Sequence, residues 1–307
     1  MKERVAGLFG APITPVDSEG RADTRAFERV IDYLLSHGIE GICVGGATGE
    51  YPHFELATRK ALVEAGARAI LGRGRFLVSV GAPTFRGVVE LAGHAVAQGA
   101  EALLLPAPYF FRYDQGDLEE YCRQVCRAVP ADYMLYNLPN FTNPYEVGTS
   151  IRILESEERV VGIKDSSGNR AAVDAFLQAR GTRSWSLMVG NDGLVLDALL
   201  AGWDGTISGA CNVCPELYSA MWRCFRSGDR EGARLCMNEI DSIRKYTTAL
   251  PVPWMIRLAV GMRGIPVGPI HLPVSPARME RIAEFEAWFR PWLAEKIPSL
   301  IEQVSSR

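Results

Sequence analysis

Eight short apolar runs recur along this chain, each separated from the next by a longer stretch, and nothing else in the sequence narrows its fold as much. The runs are Gly7 to Thr14, Gly41 to Gly45, Phe76 to Val80, Ala102 to Leu105, Tyr133 to Tyr136, Val160 to Lys164, Ser186 to Val189 and Gly205 to Ser208. Each is too short for a helix and rich in bulky or β-branched side chains, so each reads as a buried strand. Between them lie segments with helical spacing. Asp23 can cap a helix whose apolar face is Phe27, Val30, Ile31, Leu34 and Leu35, the i, i+3, i+4, i+7, i+8 stripe. Further helices are read at Glu55 to Ile70, Thr84 to Gln98, Leu118 to Val129, Ser150 to Leu154 and Leu194 to Leu200. Strands alternating with helices make a parallel sheet. Eight such units in roughly 210 residues are the count of a (β/α)8 barrel. A doubly wound sheet would carry a glycine-rich phosphate loop after its first strand, and Ala11-Pro12-Ile13-Thr14-Pro15 is no such cradle.

Beyond the eighth strand the alternation stops. Pro215 to Phe225, Arg230 to Thr248, Trp254 to Met262 and Ser275 to Trp292 read as helices, the last with Ser275 as N-cap and Pro276 at the first helical position. The chain therefore divides into a barrel catalytic domain, residues 1–212, and an all-helical C-terminal extension, residues 213–307, with Pro298 to Arg307 expected to fray.

Composition removes several classes of function. The net charge of −3, with acidic and basic residues mixed along the chain, gives no basic surface for nucleic acid. No apolar run approaches the ~18 residues of a membrane span. Met1 to Gly10 carries early charges with no apolar stretch behind them, so it is no signal peptide. Seven cysteines, an odd number without a secretion signal, are expected as reduced thiols in a cytoplasmic protein. Cys211-Asn212-Val213-Cys214 has redox-type spacing but no second pair for zinc, and Cys122 and Cys126 share a helix face as small core residues. No metal and no cofactor is expected.

The active site of such a barrel lies at the C-terminal ends of its strands. Strand two delivers Gly45-Gly46-Ala47-Thr48-Gly49-Glu50, strand four Pro106-Ala107-Pro108-Tyr109-Phe110, and strand five Tyr136-Asn137-Leu138-Pro139. Strand six ends in Lys164, strand seven in Gly190-Asn191-Asp192, and strand eight in Ser208-Gly209-Ala210. A lysine closing an apolar strand asks for a reason, because lysine is among the residues least often buried alone. An amine withdrawn from water gives up its proton more readily and can attack a ketone to form a Schiff base. A tyrosine on the adjacent strand end can shuttle protons beside it. The glycine-rich loop can offer backbone N–H groups to a carboxylate.

The order Gly-Gly-Ala-Thr-Gly-Glu, Tyr-Asn-Leu-Pro and Gly-Ile-Lys-Asp-Ser-Ser-Gly resembles the dihydrodipicolinate synthase / N-acetylneuraminate lyase family. The resemblance runs from Ala11 through Gly205-Thr206-Ile207-Ser208-Gly209 into the helical tail. It implies a barrel with C-terminal helices, a homo-oligomer (usually a tetramer), and catalysis through a lysine imine with pyruvate or another 2-keto acid. Lys164 then matches the Schiff-base lysine and Tyr136 the acid/base tyrosine. Ala47 and Thr48, with Gly46, match the loop whose N–H groups hold the keto-acid carboxylate. Ile207 matches the strand-eight residue facing the keto acid, and Gly190 lies at the neighbouring strand end. Thr48 is a further candidate for moving protons.

Three departures shape the reading. The first loop hydroxyl is replaced by Ala47, and the second relay tyrosine by Phe110. The arginine that grips the aldehyde substrate's carboxylate in dihydrodipicolinate synthases falls at Phe141, and a phenyl ring cannot form a bidentate ion pair. The substrate's tail is expected at Tyr51 and His53 and at Asn140 and Phe141. The sequence thus points to a metal-independent class I lyase that cleaves a 2-keto-3-deoxy sugar acid to pyruvate and an aldehyde, or runs the reverse condensation. A dehydratase of the same sugar acids, dihydrodipicolinate synthesis, and a degenerate barrel that only binds a keto acid stay open beside it.

Overall fold

A computed structural model describes residues 4–247 and 250–306, with Thr247 described in its backbone alone. Met1 to Glu3, Thr248 at the end of the predicted helix, Ala249 and Arg307 lie outside the described residues. Eight parallel strands close in sequence order into a barrel. They are β1 (Gly7–Gly10), β2 (Gly41–Val44), β3 (Arg75–Ser79), β4 (Ala102–Pro106), β5 (Tyr133–Asn137), β6 (Val160–Asp165), β7 (Ser186–Val189) and β8 (Gly205–Ser208). The helices around them are α1 (Thr24–Ser36), α2 (Leu56–Ile70), α3 (Phe85–Ala97), α4 (Gln115–Ala128), α5 (Val147–Ser156), α6 (Arg170–Arg180), α7 (Val195–Ala201) and α8 (Pro215–Ser227). There follow α9 (Arg230–Thr247), α10 (Trp254–Met262), α11 (Pro276–Pro291), a π-helical turn at Trp292–Lys296, and α12 (Ile297–Ser305).

Alternation of side chains along each strand builds two cores. One fills the barrel: Phe9, Cys43, Leu77, Leu104, Met134, Met188 and Ile207 point inward from successive strands. The other lies between strands and helices, where Leu8, Ile42, Val78, Leu103, Leu135, Ile163 and Leu187 meet the apolar helix faces. That outer core runs on without a break into the extension, through Ile240, Val260, Phe285 and Leu300. Fully burying one such side chain is worth about 1.5–3 kcal/mol, so the two cores account for the closed form without help from surface ion pairs.

Several elements differ from the sequence reading, each for a physical reason. β1 stops at Gly10 rather than Thr14, since Pro12 and Pro15 have no N–H for a ladder. Asn212 takes over there, accepting from the Ile13 N–H at 3.3 Å and donating to the Ala11 carbonyl at 2.8 Å. α6 has no counterpart in that reading. Its buried stripe is Ala172, Val173 and Phe176, too short to stand out, and Asn169 caps it by accepting from Ala171 N–H. The C-terminal segment is helical through Ser305 rather than frayed, with Leu300 and Val304 buried and α12 packed on α8 and α9. Pro298 is the second residue of α12, directly after the π-helical turn at Trp292–Lys296. Asp23 caps α1 as expected, whereas Ser275 holds the N-cap position of α11 without a side-chain bond. All seven cysteines are buried, and none forms a disulfide. Burial pushes the Cys211 and Cys214 thiols up, the opposite of a redox-active thiol. Among the described residues no helix is long and apolar enough to cross a membrane.

Candidate active site

In the β5–β6 ladder Tyr136 lies directly opposite Lys164, and Lys164 in turn lies opposite Met188 of β7. Paired positions on one face of neighbouring strands must meet, so register alone brings phenol and amine together inside the barrel mouth. Lys164 Nζ donates to Tyr136 Oη at 3.0 Å. It also lies 4.2 Å from the phenol ring centroid, and each residue is only 3% exposed. The strand ends are locked just beyond them. Asp165 accepts from Asn137 Nδ2 at 2.7 Å and from Ser167 Oγ at 2.6 Å, while Asn137 Oδ1 accepts from the Tyr145 N–H at 3.1 Å. Desolvation raises the Asp165 carboxyl above its usual range.

Two glycines make room for this arrangement. A Cβ on Gly190 would overlap Ser166 Oγ and lie 2.7 Å from Lys164 Cε. A Cβ on Gly209 would overlap the Thr48 hydroxyl. At both positions a side chain would occupy the space of a group in the site.

After β2 the chain turns at Gly45, φ +75°, and Ala47–Gly49 forms a single 3-10 turn. The opening N–H groups of such a turn have no partner within it and suit an anion. The turn is held by Thr14 and by the Glu50–Arg257 pair, while Arg59 braces the neighbouring end of β3. Thr14 Oγ1 donates to the Gly49 carbonyl at 2.8 Å. Arg59, buried on α2, donates to the carbonyls of Gly81 and, at 3.0 Å, Ser79. Glu50, at φ +54°, forms a buried ion pair with Arg257 of α10, whose guanidinium also donates to the Thr14 carbonyl at 2.9 Å.

These parts surround a cavity of about 260 Å³ at the C-terminal mouth. Of the residues singled out from sequence, it gathers Ala47, Thr48, Tyr136, Asn140, Phe141, Lys164, Gly190 and Ile207. Gly46 instead forms the extended cap before the 3-10 turn. Tyr51 is buried under the Arg59 guanidinium, 5.0 Å from its ring centroid, and with His53 lines an adjoining cavity of about 280 Å³. That second space shares Ala47, Leu138, Phe141 and Val252 with the first. Phe110 lies outside both, 90% exposed and at φ +77°. Its loop is held by Asn143, which donates to the carbonyls of Pro108 and Phe111 at 2.7 Å each.

The cavity also includes residues to which the sequence reading gave no role: Ser166, Asn191 and Asp192 from strand ends, and Arg244 and Ile256 from the extension. Asp192 Oδ1 accepts from the hydroxyls of Ser208 and, at 3.0 Å, Tyr218. Desolvation pushes its carboxyl up, opposed by those two bonds and by Lys164 and Arg244 nearby. Gly190-Asn191-Asp192 was a visible signal for Asp192, whereas nothing in the helical spacing of α9 marks Arg244.

A larger cavity of about 730 Å³ opens at the other end of the barrel, between Arg4, Val160 and Ser186. Its arginines are engaged in ion pairs, Arg75 with Glu101 and Arg183 with Glu155, and it is remote from the catalytic strand ends. Among the described residues one cluster has metal-ligand chemistry. The ligand atoms of Glu50, His53 and His271 lie within 4.8 Å of one another. Arg257 already neutralises Glu50 there, and a second cation beside a guanidinium is disfavoured.

Comparison with known proteins agrees with this geometry. The model of the dihydrodipicolinate synthetase family matches residues 4–290. The chain is 30% identical over 275 residues to the protein named probable 2-dehydro-3-deoxy-D-pentonate aldolase of Escherichia coli (strain K12), covering 86% of this chain and 91% of that one. It is also 30% identical over 276 residues to a 4-hydroxy-tetrahydrodipicolinate synthase of Moorella thermoacetica, covering 89% and 93%. Among solved structures, a prophage protein of the dihydrodipicolinic acid synthase family from Escherichia coli K12, in complex with pyruvate, superposes with a TM-score of 0.86. Its identity is 25%, over 93% of this chain and 98% of that one.

Proposed function

This chain belongs to the dihydrodipicolinate synthetase family, a family of lyases, and we propose that it cleaves a 2-keto-3-deoxy sugar acid to pyruvate and an aldehyde through an imine on Lys164. The observation that carries this reading is the 3.0 Å contact between a buried lysine amine and a buried phenol at the barrel mouth. The keto acid's carboxylate binds at the N–H groups of Ala47 and Thr48. Lys164 Nζ, as the neutral amine, attacks the C2 carbonyl, and Tyr136 gives its proton to the departing hydroxyl, so that water leaves, an iminium forms and Tyr136 is left as the phenolate. Tyr136 takes the proton of the C4 hydroxyl as the C3–C4 bond breaks. The bonding pair flows into the iminium as an enamine, and the aldehyde departs. Tyr136 returns its proton to C3, and water releases pyruvate and the free amine. With Ala47 in place of a hydroxyl and Phe110 turned outward, this proton traffic rests on Tyr136, with Thr48 the nearest hydroxyl on the loop.

The same imine supports a dehydratase, which would release water and retain all carbons. A product assay separates the two: cleavage gives pyruvate, dehydration a keto-acid semialdehyde. Dihydrodipicolinate synthesis is disfavoured by Phe141, which lines the cavity where a cation would be wanted. The lysine imine needs no metal, so EDTA should leave turnover unchanged. The exposed, edge-to-face pair Phe110 and Phe111 supports a homo-oligomer, which sedimentation would read directly. The experiment that tests the function is a panel of 2-keto-3-deoxy sugar acids with both products assayed. Pyruvate release from at least one supports the lyase, and none from any contradicts it.

A further inference from the structure

The turn after β2 is held by a knot of charged side chains, and one member of that knot can gain a proton in mild acid. Glu50 closes the 3-10 turn at Ala47–Gly49. Its Oε2 accepts from Arg257 Nη2, which also donates to the Thr14 carbonyl at 2.9 Å. Thr14 Oγ1 in turn donates to the Gly49 carbonyl at 2.8 Å, so Arg257 joins the two supports of the turn. Against this pair stands His271, from the linker between α10 and α11. Its neighbour Leu272 is exposed, whereas the His271 side chain is turned inward and only 10% exposed.

His271 Nε2 lies 3.5 Å from Arg257 Nη2 and 3.6 Å from Glu50 Oε2. Nη2 has two hydrogens and three acceptors in reach: the Thr14 carbonyl, Glu50 and, with the ring neutral, His271. A proton on Nε2 turns the third acceptor into a rival donor for the same Glu50 oxygen. It also sets a second positive charge beside the guanidinium, where the two repel. Desolvation is the strongest influence on the ring and opposes a charge there. Glu50 favours one, while Arg257 and His53, whose ring centroid is 4.8 Å away, oppose it. Phe54 meets the ring edge to face. Arg278 of α11, in the same cavity wall as Glu50 and His53, is turned onto the Trp254 ring. The balance holds the His271 pKa below its usual 6.5, so the ring is mostly neutral at pH 7 and charges only in acid.

We propose that His271 is a positioning residue for keto-acid binding: neutral, it leaves Glu50 to Arg257 and keeps the turn firm; protonated, it draws Glu50 away and weakens the turn's hold on the keto acid's carboxylate. This rests on the lyase reading, which places that carboxylate at the turn. His271 touches no reacting atom, so binding rather than the chemical step carries its effect. By linkage the reverse also holds, and a bound keto acid makes His271 harder to protonate.

The test uses the full chain with pyruvate and cyanoborohydride, which reduces imines in mild acid, and reads the label on Lys164. Half-saturating pyruvate concentrations are measured from pH 8 to pH 5 in the wild type and in His271→Gln, which has no titrating ring. The pH dependence of imine formation itself is common to both and cancels in their ratio. The two should agree at pH 8. By pH 5 the wild type should need about five- to tenfold more pyruvate than His271→Gln, with equal labelling at saturation. His271→Lys, charged throughout, should need the higher concentration even at pH 8, and His53→Gln should move the transition to higher pH. The chain has four histidines, so the His271 ring resonance can be assigned by its loss in His271→Gln, and saturating pyruvate should lower its NMR titration midpoint. A ratio that stays at one from pH 8 to pH 5, or a midpoint that pyruvate leaves unmoved, overturns the inference while pyruvate still labels Lys164. No label at any pH would instead overturn the lyase reading beneath it.

Discussion

Tyr136 and Lys164 meet because two strands are in register, so their roles can be separated by single substitutions. Tyr136→Phe keeps the ring and removes the proton carrier. Its kcat should fall by about 10²–10⁴, while pyruvate trapping on Lys164 persists; equal loss of both would mean that the phenol only shapes the pocket. Gly190→Ala should lower kcat by about 100-fold, the cost of a displacement near 1 Å, because its methyl would lie 2.7 Å from Lys164 Cε. Wild-type turnover in that variant would contradict the packing described. Asp192 makes a pH prediction. Folding raises its carboxyl pKa above the unfolded value near 3.9, so the folded chain holds that proton more tightly. The stability it contributes is present below about pH 3.9 and is lost as pH rises through the folded value. Asp192→Asn still accepts from Ser208 and Tyr218 but cannot ionise. Its urea midpoint should therefore exceed the wild type's at pH 7, with the gap closing toward pH 4. A gap that widens on acidification would contradict the sign.

Elements join at the Glu50–Arg257 pair, which ties the loop after β2 to α10 across the barrel mouth. Arg257→Met leaves a buried carboxylate unpaired and should cost about 3–5 kcal/mol of unfolding free energy in urea. Glu50→Leu/Arg257→Met should recover much of it, and a single-variant loss below about 1 kcal/mol would show that the pair is solvated. At this scale much was legible from sequence. Strands β7 and β8 fall where their apolar runs end, and Asp23 caps α1 as its position suggests. Most of what was not legible depends on tertiary closure. The early end of β1 is the exception, since Pro12 and Pro15 lack the N–H a ladder needs and could have been read locally. α6 hides behind three buried residues, and α12 is ordered by the surface it packs on. Lys164 could be singled out because a lysine ending an apolar strand is locally anomalous. Ser166 and Arg244 look ordinary until the barrel brings them to one cavity.

For the whole molecule, the two cores divide the labour. The outer one holds barrel and extension together, and the inner one is a packed plug on which the reacting side chains stand. The extension is also part of the site, since Arg244, Val252 and Ile256 complete the cavity wall. A barrel cut off before α9 would lack that wall, and removal of the extension should abolish substrate discrimination along with much of the stability. All of this converges on one chemical claim, that Lys164 forms an imine with a 2-keto acid. The measurement is incubation with pyruvate, reduction by borohydride, and peptide mass spectrometry. A reduced pyruvate adduct on the Lys164 peptide, absent in Lys164→Ala, is the result predicted here. A folded protein that shows no adduct with pyruvate or any longer 2-keto acid would contradict it, and the barrel would then be a keto-acid binder rather than a Schiff-base catalyst.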